Sequence, residues 1–342
     1  MGLNIFNFRE SVLDGGVDQI GEVDVDSNSR VSAEMLAPGV IKFTSENPGK
    51  RRLDSAGVHG DEVDGQKAVC DVVDDLIAGR IRMNSGEWIA CLASIEAIRA
   101  GVRGLGYNLN RLFGPHARGK AAGTYERARA DELQAIFGVF APDFHSDWHG
   151  TIQPADFPFA VSSVSREMMN DPRYRSYLAD FAGSFAVPHT IVRPIDDDSR
   201  YTTLEFAATD RMLRGGRLPR AETVELGQIG TDLSDRMVDA ISHGLRVALW
   251  RGFDLSAPSA AFDNEDCEQD HTTWVIDRQL VKASEAFRFE LPRLANFMEL
   301  EEGQLIATDG RVEHRAEEGQ VLVFPHPDAT LGEQVGFLVS KE

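Results

Sequence analysis

A strand, a glycine turn and a helix follow one another between residues 51 and 77, and this order limits the fold more than any other feature. The segment RRLDSAGV (51–58) is short and bounded by turn residues, as a buried strand is. Apolar residues recur at helical spacing over 62–77, and Gly79 can end that helix. The turn between them carries HGDE. A strand that enters a helix through a tight turn indicates an α/β domain.

Strands and helices continue to alternate along the chain. GVIKFTS (39–45) reads as an earlier strand, and GEWIACLASIEAIRAG (86–101) reads as a strand followed by a short helix. RARADELQAIFGVF (127–140) is an amphipathic helix, and a long apolar stripe predicts another helix between 221 and 250. Alternation of this kind predicts a mostly parallel sheet, because a strand, a helix and a second strand form a parallel unit.

The character of the sequence changes after Trp250. The acid-rich stretch FDLSAPSAAFDNEDCEQD resembles a linker, and short alternating segments separated by turns such as EEGQ and TDGR follow it. We therefore predict two domains, an α/β domain over residues 1–250 and a small all-β domain over residues 251–342.

The charge of the chain excludes several classes of partner. Its 342 residues include 55 Asp and Glu against 35 Lys and Arg, a formal net charge of −20. Such a surface repels nucleic acid and anionic lipid, so we expect neither as a partner. Three cysteines without a C-x-x-C pair argue against a disulfide framework, and no basic leader or long apolar run is present. We therefore expect a cytoplasmic protein. The sequence does not fix its oligomeric state and is compatible with a homo-oligomer.

His59 and Glu62 stand three residues apart in the turn. At the carboxyl end of a strand, H-x-x-E can aim an imidazole and a carboxylate at the place where α/β sheets usually bind ligands. A catalytic zinc normally takes three protein ligands, and PDFHSDWHGTI (142–152) offers two candidates for the third, His145 and His149. His145 is favoured, because it directly follows the strand-like APDF. Alternatively, these histidines are unrelated.

Other polar residues accompany these motifs. NLNRLF pairs Asn110 with Arg111, an amide and a forked guanidinium that suit a carboxylate, and Arg103 precedes them. Each arginine could equally be a solvated surface charge. Glu205 lies in the apolar, β-prone segment YTTLEFAATD. A carboxylate buried there is either paired with a cation or kept for proton transfer.

These motifs resemble those of the succinylglutamate desuccinylase/aspartoacylase family of zinc carboxypeptidase-like amidohydrolases, and most closely its succinylglutamate desuccinylase branch. GVHGDE resembles the family's GxHGxE, NRLF its NRxF, DFHS its DLHT and TLEFA its TLELG. NFMELEEGQLIATDG and VLVFPHP also resemble that branch, so the similarity runs, with gaps, from about residue 33 to the C-terminus. It implies a zinc carboxypeptidase-like catalytic domain, whose mixed, mostly parallel sheet is flanked by helices, and a small C-terminal all-β domain.

The resemblance implies a role for each residue of these motifs. His59, Glu62 and His145 correspond to the ligands of one zinc ion (Zn²⁺) per chain. Glu205 corresponds to the general base that activates the attacking water and then protonates the leaving amine. His149 stays outside the ligand set, as a residue that orients a ligand, contacts the substrate or lies in the loop by chance.

Three further residues complete the implied site. Arg103 matches the arginine that stabilises the oxyanion, and Asn110 and Arg111 match the pair that binds a substrate carboxylate. The chain departs from the branch at Asn108, where an aspartate is usual, and after Glu205, where FAATD replaces glycine and lysine. Both departures lie close to the implied pocket, so they bear on the substrate more than on the chemistry.

The predicted function is zinc-dependent hydrolysis of the amide of a small anionic N-acyl amino acid, with N-succinylglutamate, cleaved to succinate and glutamate, as the first candidate. The residues that contact the acyl group are undefined, with Arg193 and Arg200 as candidates. One alternative is a deacylase of another N-acyl amino acid or a carboxypeptidase-like peptidase. The other is a relative that binds metal and ligand without turnover, which the altered sequence after Glu205 favours.

Overall fold

The computed structural model describes residues 2–5, 7–16, 18–195, 202–253 and 271–342. Up to residue 253 the strands are β1 (Gly21–Val23), β2 (Val31–Ala37), β3 (Val40–Ser45), β4 (Arg51–Ala56), β5 (Glu87–Leu92), β6 (Phe144–Thr151), β7 (Phe159–Val164), β8 (His189–Pro194) and β9 (Ala221–Gln228). The helices are α1 (Phe8–Leu13), α2 (Val63–Ile77), α3 (Ile95–Ala100), α4 (Tyr125–Phe140), α5 (Arg166–Met169), α6 (Pro172–Phe185), α7 (Leu204–Arg214) and α8 (Asp232–Trp250). From residue 271 onward the strands are β10 (Thr272–Val281), β11 (Phe287–Phe289), β12 (Met298–Glu299), β13 (Leu305–Asp309), β14 (Val312–Arg315), β15 (Val321–Val323) and β16 (Gln334–Lys341).

Most of these strands form one mixed sheet. Its order is β1-β2-β3-β5-β4-β6-β9-β7-β8-β10-β16-β15-β12, and β11-β13-β14 form a separate small sheet. At the centre, β5, β4, β6 and β9 are mutually parallel, and β7 reverses direction against β9. The expected fold class, an α/β domain with a mixed sheet flanked by helices and followed by a β module, is confirmed.

The C-terminal strands continue the sheet of the first part of the chain. β10 pairs in parallel with β8 and antiparallel with β16. α8 ends at Trp250, and most of the predicted linker, 254–270, lies outside the described residues. The division into domains 1–250 and 251–342 therefore stays a prediction. No helix among the described residues is long and apolar enough to cross a membrane.

The two faces of the central sheet bury different sets of side chains, because successive residues of a strand point to opposite faces. On one face Ala56, Trp148 and Val224 join a large apolar core with α2, α6 and α8. On the other face Leu53 packs with apolar residues of α4 and with Leu204 at the start of α7. The functional residues described below lie on the face of Leu53, near the carboxyl ends of β4, β6 and β9.

The predicted helix over 221–250 is wrong in its first third. Residues Ala221–Gln228 form β9, and the helix α8 begins only after Thr231. Gly227 and Gly230 take positive φ angles of 102° and 76°, which helical residues do not adopt. Thr231 and Ser234 then form a reciprocal capping box that starts α8. The glycines and the capping box therefore end the strand and start the helix, although apolar residues at helical spacing run through both.

Two shorter predictions also differ from the structure. The strand expected at APDF begins at Phe144 instead and runs to Thr151, so both candidate histidines lie within β6. Glu205 lies in the first turn of α7 rather than in a strand. The side chain of Thr203 accepts a hydrogen bond from the backbone N–H of Phe206, and this cap starts the helix.

Candidate metal and catalytic site

The site lies where the parallel strands β4 and β6 end. His59 follows β4 in a tight turn, Glu62 is the N-cap of α2, and His149 is near the end of β6. Gly60 makes this turn possible, because a Cβ there would come within 2.1 Å of the backbone of Ala97. Ligands of α/β sheets usually bind at this edge.

The three side chains converge on one point. His59 Nδ1 is 2.7 Å from Glu62 Oε1, and His149 Nδ1 is 2.9 Å from Glu62 Oε2. One ligand atom from each residue lies within 4.8 Å of the others, and all three side chains are buried. Among the described residues, this is the group of histidine, cysteine and acidic side chains with the geometry to hold a metal ion.

Each imidazole is oriented through its other nitrogen. His59 Nε2 is 3.1 Å from Asn108 Oδ1, and His149 Nε2 is 2.9 Å from Asp147 Oδ2. Both acceptors are oxygens, so a proton on Nε2 of each ring satisfies them, and Nδ1 is the nitrogen left to face Glu62 and to bind a metal. Asn108 therefore orients the ring of His59, although the sequence drew attention to Asn108 only as a departure from the family pattern.

The electrostatics of this group suit a cation. Burial lowers the pKa of His59, an effect that the nearby Glu62 opposes. Burial alone would raise the pKa of Glu62, but His59 and His149 hold it well below its usual value. Burial is likewise overcome at His149, where Asp147 and Glu62 raise the pKa well above the usual value. A proton on His149 thus balances two carboxylates, and a metal ion can replace it.

His145, the predicted third ligand, does not lie in this group, and His149 takes that place. His145 is the second residue of β6 and His149 the sixth, so about 13 Å of strand separates them. The Nε2 atom of His145 is 2.8 Å from Ser55 Oγ. The expectation rested on a strand that ended before His145, whereas β6 begins at Phe144 and continues to Thr151. The signal that could have found His149 is the second D-x-H, at 147–149.

Glu205, the predicted general base, is 0% exposed and accepts four hydrogen bonds from residues that the structure describes. Its carboxylate accepts from the backbone N–H and the hydroxyl of Ser163, from Thr209 Oγ1 and from Arg193 Nη2, at 3.1 to 3.2 Å. Burial raises its pKa, and the Arg193 guanidinium opposes that shift. These hydrogen bonds join α7 to β7 and β8, and none of them reaches His59, Glu62 or His149.

Glu225 on β9 lies beside the three converging side chains. It pairs in register with His149, and its carboxylate interacts electrostatically with His149, Glu62 and Arg103. Within the described part of the chain, no hydrogen bond or ion pair engages this carboxylate. Burial, with Glu62 adding repulsion, raises its pKa to about 8. The signal for Glu225 was present in TVELG (223–227), which matches TLELG more fully than TLEFA does.

The structure brings the predicted arginines close to this group. Arg103 Nη1 is 2.7 Å from Glu62 Oε1, and the Arg103 side chain is 42% exposed, so it can also meet a ligand. The surrounding protein removes water from the Arg111 guanidinium, and the positive charges of Arg193 and Arg103 repel it. Both effects lower the pKa of Arg111, to about 10. A positive cluster therefore stands beside the three converging side chains, in an otherwise acidic protein.

Asn110 links the segment between α3 and α4, which carries Arg103 and Arg111, to α7. It is buried, and its side-chain oxygen accepts a hydrogen bond from the backbone N–H of Leu204 at 3.0 Å. Arg111 Nη1 donates to the Asn110 carbonyl at 2.7 Å. Arg193, a candidate for the acyl group, donates to Ser163, Thr203 and Glu205. Arg200, the other candidate, lies outside the described residues.

Comparison with known proteins adds independent findings. Residues 48–240 match the family model of the Succinylglutamate desuccinylase/Aspartoacylase catalytic domain, and residues 270–342 match the AstE/AspA barrel-sandwich hybrid domain. A succinylglutamate desuccinylase from Chromobacterium violaceum is 31% identical over 325 residues, which cover 90% of each chain.

Solved structures show the same fold. A succinylglutamate desuccinylase from Vibrio parahaemolyticus superposes with a TM-score of 0.80 at 23% identity, over 99% of this chain and 96% of that one. The enzyme structure from Chromobacterium violaceum superposes with a TM-score of 0.76 at 24% identity, over 99% and 98% of the two chains. Both superpositions include the α/β part of the chain and the C-terminal strands.

Proposed function

The chain belongs to the succinylglutamate desuccinylase/aspartoacylase family, and from that premise we propose that it is a zinc-dependent hydrolase of N-acyl amino acids. The bond it cleaves is the amide between the acyl carbonyl and the amino nitrogen. N-succinylglutamate is the first candidate substrate, because relatives that align over nine tenths of the chain carry the name succinylglutamate desuccinylase.

One observation carries the proposal. His59, Glu62 and His149 converge at the carboxyl edge of the central parallel strands, with Glu225 beside them on the next strand. Two histidines and one glutamate are the donor set of hydrolytic zinc sites, which keep a further position for water or substrate. A carboxylate next to such a site is what amide hydrolysis needs for proton transfer.

The residues present fit a zinc ion. Both imidazoles direct Nδ1 at the carboxylate of Glu62, and both are held by oxygen acceptors at Nε2. His59, Glu62 and His149 would hold one zinc ion per chain. When bound, the ion supplies Lewis acidity that polarises a carbonyl oxygen and makes a water molecule easier to deprotonate.

Proton movement is assigned to Glu225. It takes a proton from the water that attacks the acyl carbon and passes it to the amine nitrogen as the carbon–nitrogen bond breaks. The water oxygen and its second proton stay on the acyl carbon, so the products are a carboxylic acid and the free amine of the amino acid, which exist as carboxylate and ammonium near neutral pH. The raised pKa of Glu225 supports this role, because a group with a pKa near neutrality both accepts and returns a proton readily.

The arginines would bind the anionic substrate. Arg103 contacts Glu62 and is partly exposed, so it is placed to stabilise negative charge that develops on the carbonyl oxygen. Arg111, on the loop that Asn110 ties to α7, would hold a substrate carboxylate. Arg193 and Arg103 both disfavour the charged form of Arg111, and a bound anion would relieve that repulsion.

A substrate panel tests the proposal. Zinc-loaded protein is assayed for release of free amine from N-succinylglutamate, N-acetylglutamate, N-acetylaspartate and other N-acyl amino acids, with a chelated sample beside it. We expect turnover that the chelator abolishes and added zinc restores, with N-succinylglutamate cleaved best. Preference for another substrate would change the acyl group assigned, and cleavage of none would refute the hydrolase.

Zinc content tests the ligand assignment separately. His149→Ala should lose bound zinc, because one of three protein ligands is removed. His314→Ala removes a histidine of the C-terminal strand β14 and should bind zinc as the wild type does. Stoichiometric zinc in purified His149→Ala would refute the assignment of the third ligand.

The cellular setting belongs to the same proposal. Cys70 and Cys91 are buried and unpaired, which supports a reducing compartment such as the cytoplasm. The acidic chain supports a small anionic substrate recognised locally by arginines, rather than nucleic acid or a lipid surface.

A further inference from the structure

A row of buried hydrogen bonds runs from His149 back toward the start of β6. His149 Nε2 is 2.9 Å from Asp147 Oδ2, Ser55 Oγ donates to Asp147 Oδ1 at 2.6 Å, and His145 Nε2 is 2.8 Å from Ser55 Oγ. Each of the four residues is at most 2% exposed. We call His145, Ser55, Asp147 and His149 the buried row.

The strands β4 and β6 create the buried row. Ser55 pairs in register with Asp147, and His145, Asp147 and His149 alternate along β6, so all four side chains share one face of the sheet. The face is the one that carries the converging side chains of the metal site. A register shift of one residue in either strand would separate them.

The direction of each hydrogen bond follows from the groups involved. Asp147 can only accept, so the single hydroxyl proton of Ser55 points to it, and Ser55 must accept from His145 Nε2–H. Burial lowers the pKa of His145 to about 4, which agrees with a neutral ring carrying that one proton. At the other end, Asp147 accepts from His149 Nε2–H, which leaves Nδ1 to face Glu62 and the metal.

Packing alone does not account for His145. Its Nδ1 atom is buried and lacks a hydrogen-bond partner among the described residues. Burying an unpaired ring nitrogen costs free energy that an apolar side chain of similar size would avoid. The favourable contact that His145 makes with its other nitrogen is the hydrogen bond to Ser55.

We propose that Ser55 and His145 are positioning residues of the metal site: acting through Asp147, they hold the ring of His149 in the orientation that receives the ion. This inference rests on the proposed function in taking His149 as a ligand. Among the described residues, the hydrogen bonds of the Asp147 side chain join it to His149 and Ser55, so loss of the Ser55 hydroxyl frees one carboxylate oxygen. His149 must then be ordered when the metal binds, which weakens binding.

Zinc affinity measured against a chromogenic chelator tests the inference, with Zn²⁺ as the probe. Ser55→Ala and His145→Leu should weaken affinity about three- to tenfold, less than the roughly 10- to 100-fold typical of a direct partner such as Asp147, tested by Asp147→Asn. His145→Gln should bind zinc almost as the wild type does, because its amide N–H can occupy the place of Nε2–H. Ser162→Ala, a buried serine on β7 that bonds the Ala221 carbonyl, is the matched control and should be unchanged.

Thermal unfolding with and without zinc separates positioning from a purely structural role. The rise in Tm caused by zinc should shrink in Ser55→Ala and His145→Leu and recover in His145→Gln. If Ser55→Ala and His145→Leu lower Tm equally with and without zinc and leave zinc affinity unchanged, the inference is overturned. If Asp147→Asn weakens zinc binding and Ser55→Ala does not, the inference fails while the proposed function stands. If neither Asp147→Asn nor His149→Ala affects zinc binding, the metal site itself is wrong.

Discussion

Replacing Glu225 by glutamine tests the assignment of the general base most directly. The glutamine side chain has nearly the same shape but cannot take a proton from water. General acid–base groups contribute about 10²- to 10⁴-fold to rate, which corresponds to roughly 3 to 5.5 kcal/mol of activation free energy. We expect kcat of Glu225→Gln to fall by such a factor, while KM changes little, because substrate carboxylates are assigned to the arginines.

The structure also predicts what this substitution leaves intact. The Glu225 carboxylate is outside the group of converging ligand atoms, and no hydrogen bond from a described residue engages it. Zinc content should therefore match the wild type, and the free energy of unfolding should fall by less than about 1 kcal/mol. Amine release under saturating substrate, metal analysis and urea unfolding give the three quantities.

Glu205→Gln is the matched control. Glu205 is fully buried and accepts charge-assisted hydrogen bonds, so its neutralisation should cost about 2 to 3 kcal/mol of stability and leave turnover measurable. The opposite pattern, in which Glu205→Gln abolishes turnover of a stable enzyme and Glu225→Gln retains it, would refute the reasoning. It would restore the general base first suggested by TLEFA.

Two further predictions concern the buried charges on the opposite face of the sheet. Asp54 accepts hydrogen bonds from Arg52, Trp88 and Trp148, so Asp54→Ala should leave Arg52 buried without its partner and cost about 3 to 5 kcal/mol in urea unfolding. Asp210→Ala, which breaks the exposed pair with Arg214, should cost less than about 1 kcal/mol, and equal losses in the two variants would contradict the argument. Burial raises the pKa of Glu222 to about 8 from 4.5, so the folded state keeps a proton that the unfolded state releases, and stability falls as pH rises between about 5 and 8. Glu222→Gln removes this pH dependence. In unfolding measured without metal, the stability of the variant relative to the wild type should rise with pH over this range, by up to about 1.4 kcal/mol per pH unit. A stability difference that does not vary with pH would disprove the prediction.

The order of strand, turn and helix around residue 59 was predictable from sequence because each signal is local. Glycine and apolar spacing within a few residues indicate where β4 ends and α2 begins, and HGDE is confined to the turn between them. For the same reason His59 and Glu62 could be placed together without knowledge of the rest of the chain. The two residues that make the 2.7 Å contact are only three positions apart in that turn.

The remaining site residues could not be chosen locally. DFH and DWH both satisfy a D-x-H pattern, and TLEFA and TVELG both place a glutamate after an apolar residue. Which histidine reaches the carboxyl edge depends on where β6 begins, and that is decided by its pairing with β4 and β9. Register is a property of neighbouring strands, and these lie about 90 and 75 residues away along the chain.

The sequence by itself determined the family, the α/β class and the first two of the three converging side chains, because these depend on motifs and spacing within short segments. Only the tertiary structure decided that His149 joins them and that Glu225 lies beside them. It also decided that His145 and Glu205 make hydrogen bonds to other residues. The physical reason is that a strand residue acts at the edge of a sheet only if its position along the strand brings it there. Pairing across the sheet sets that position.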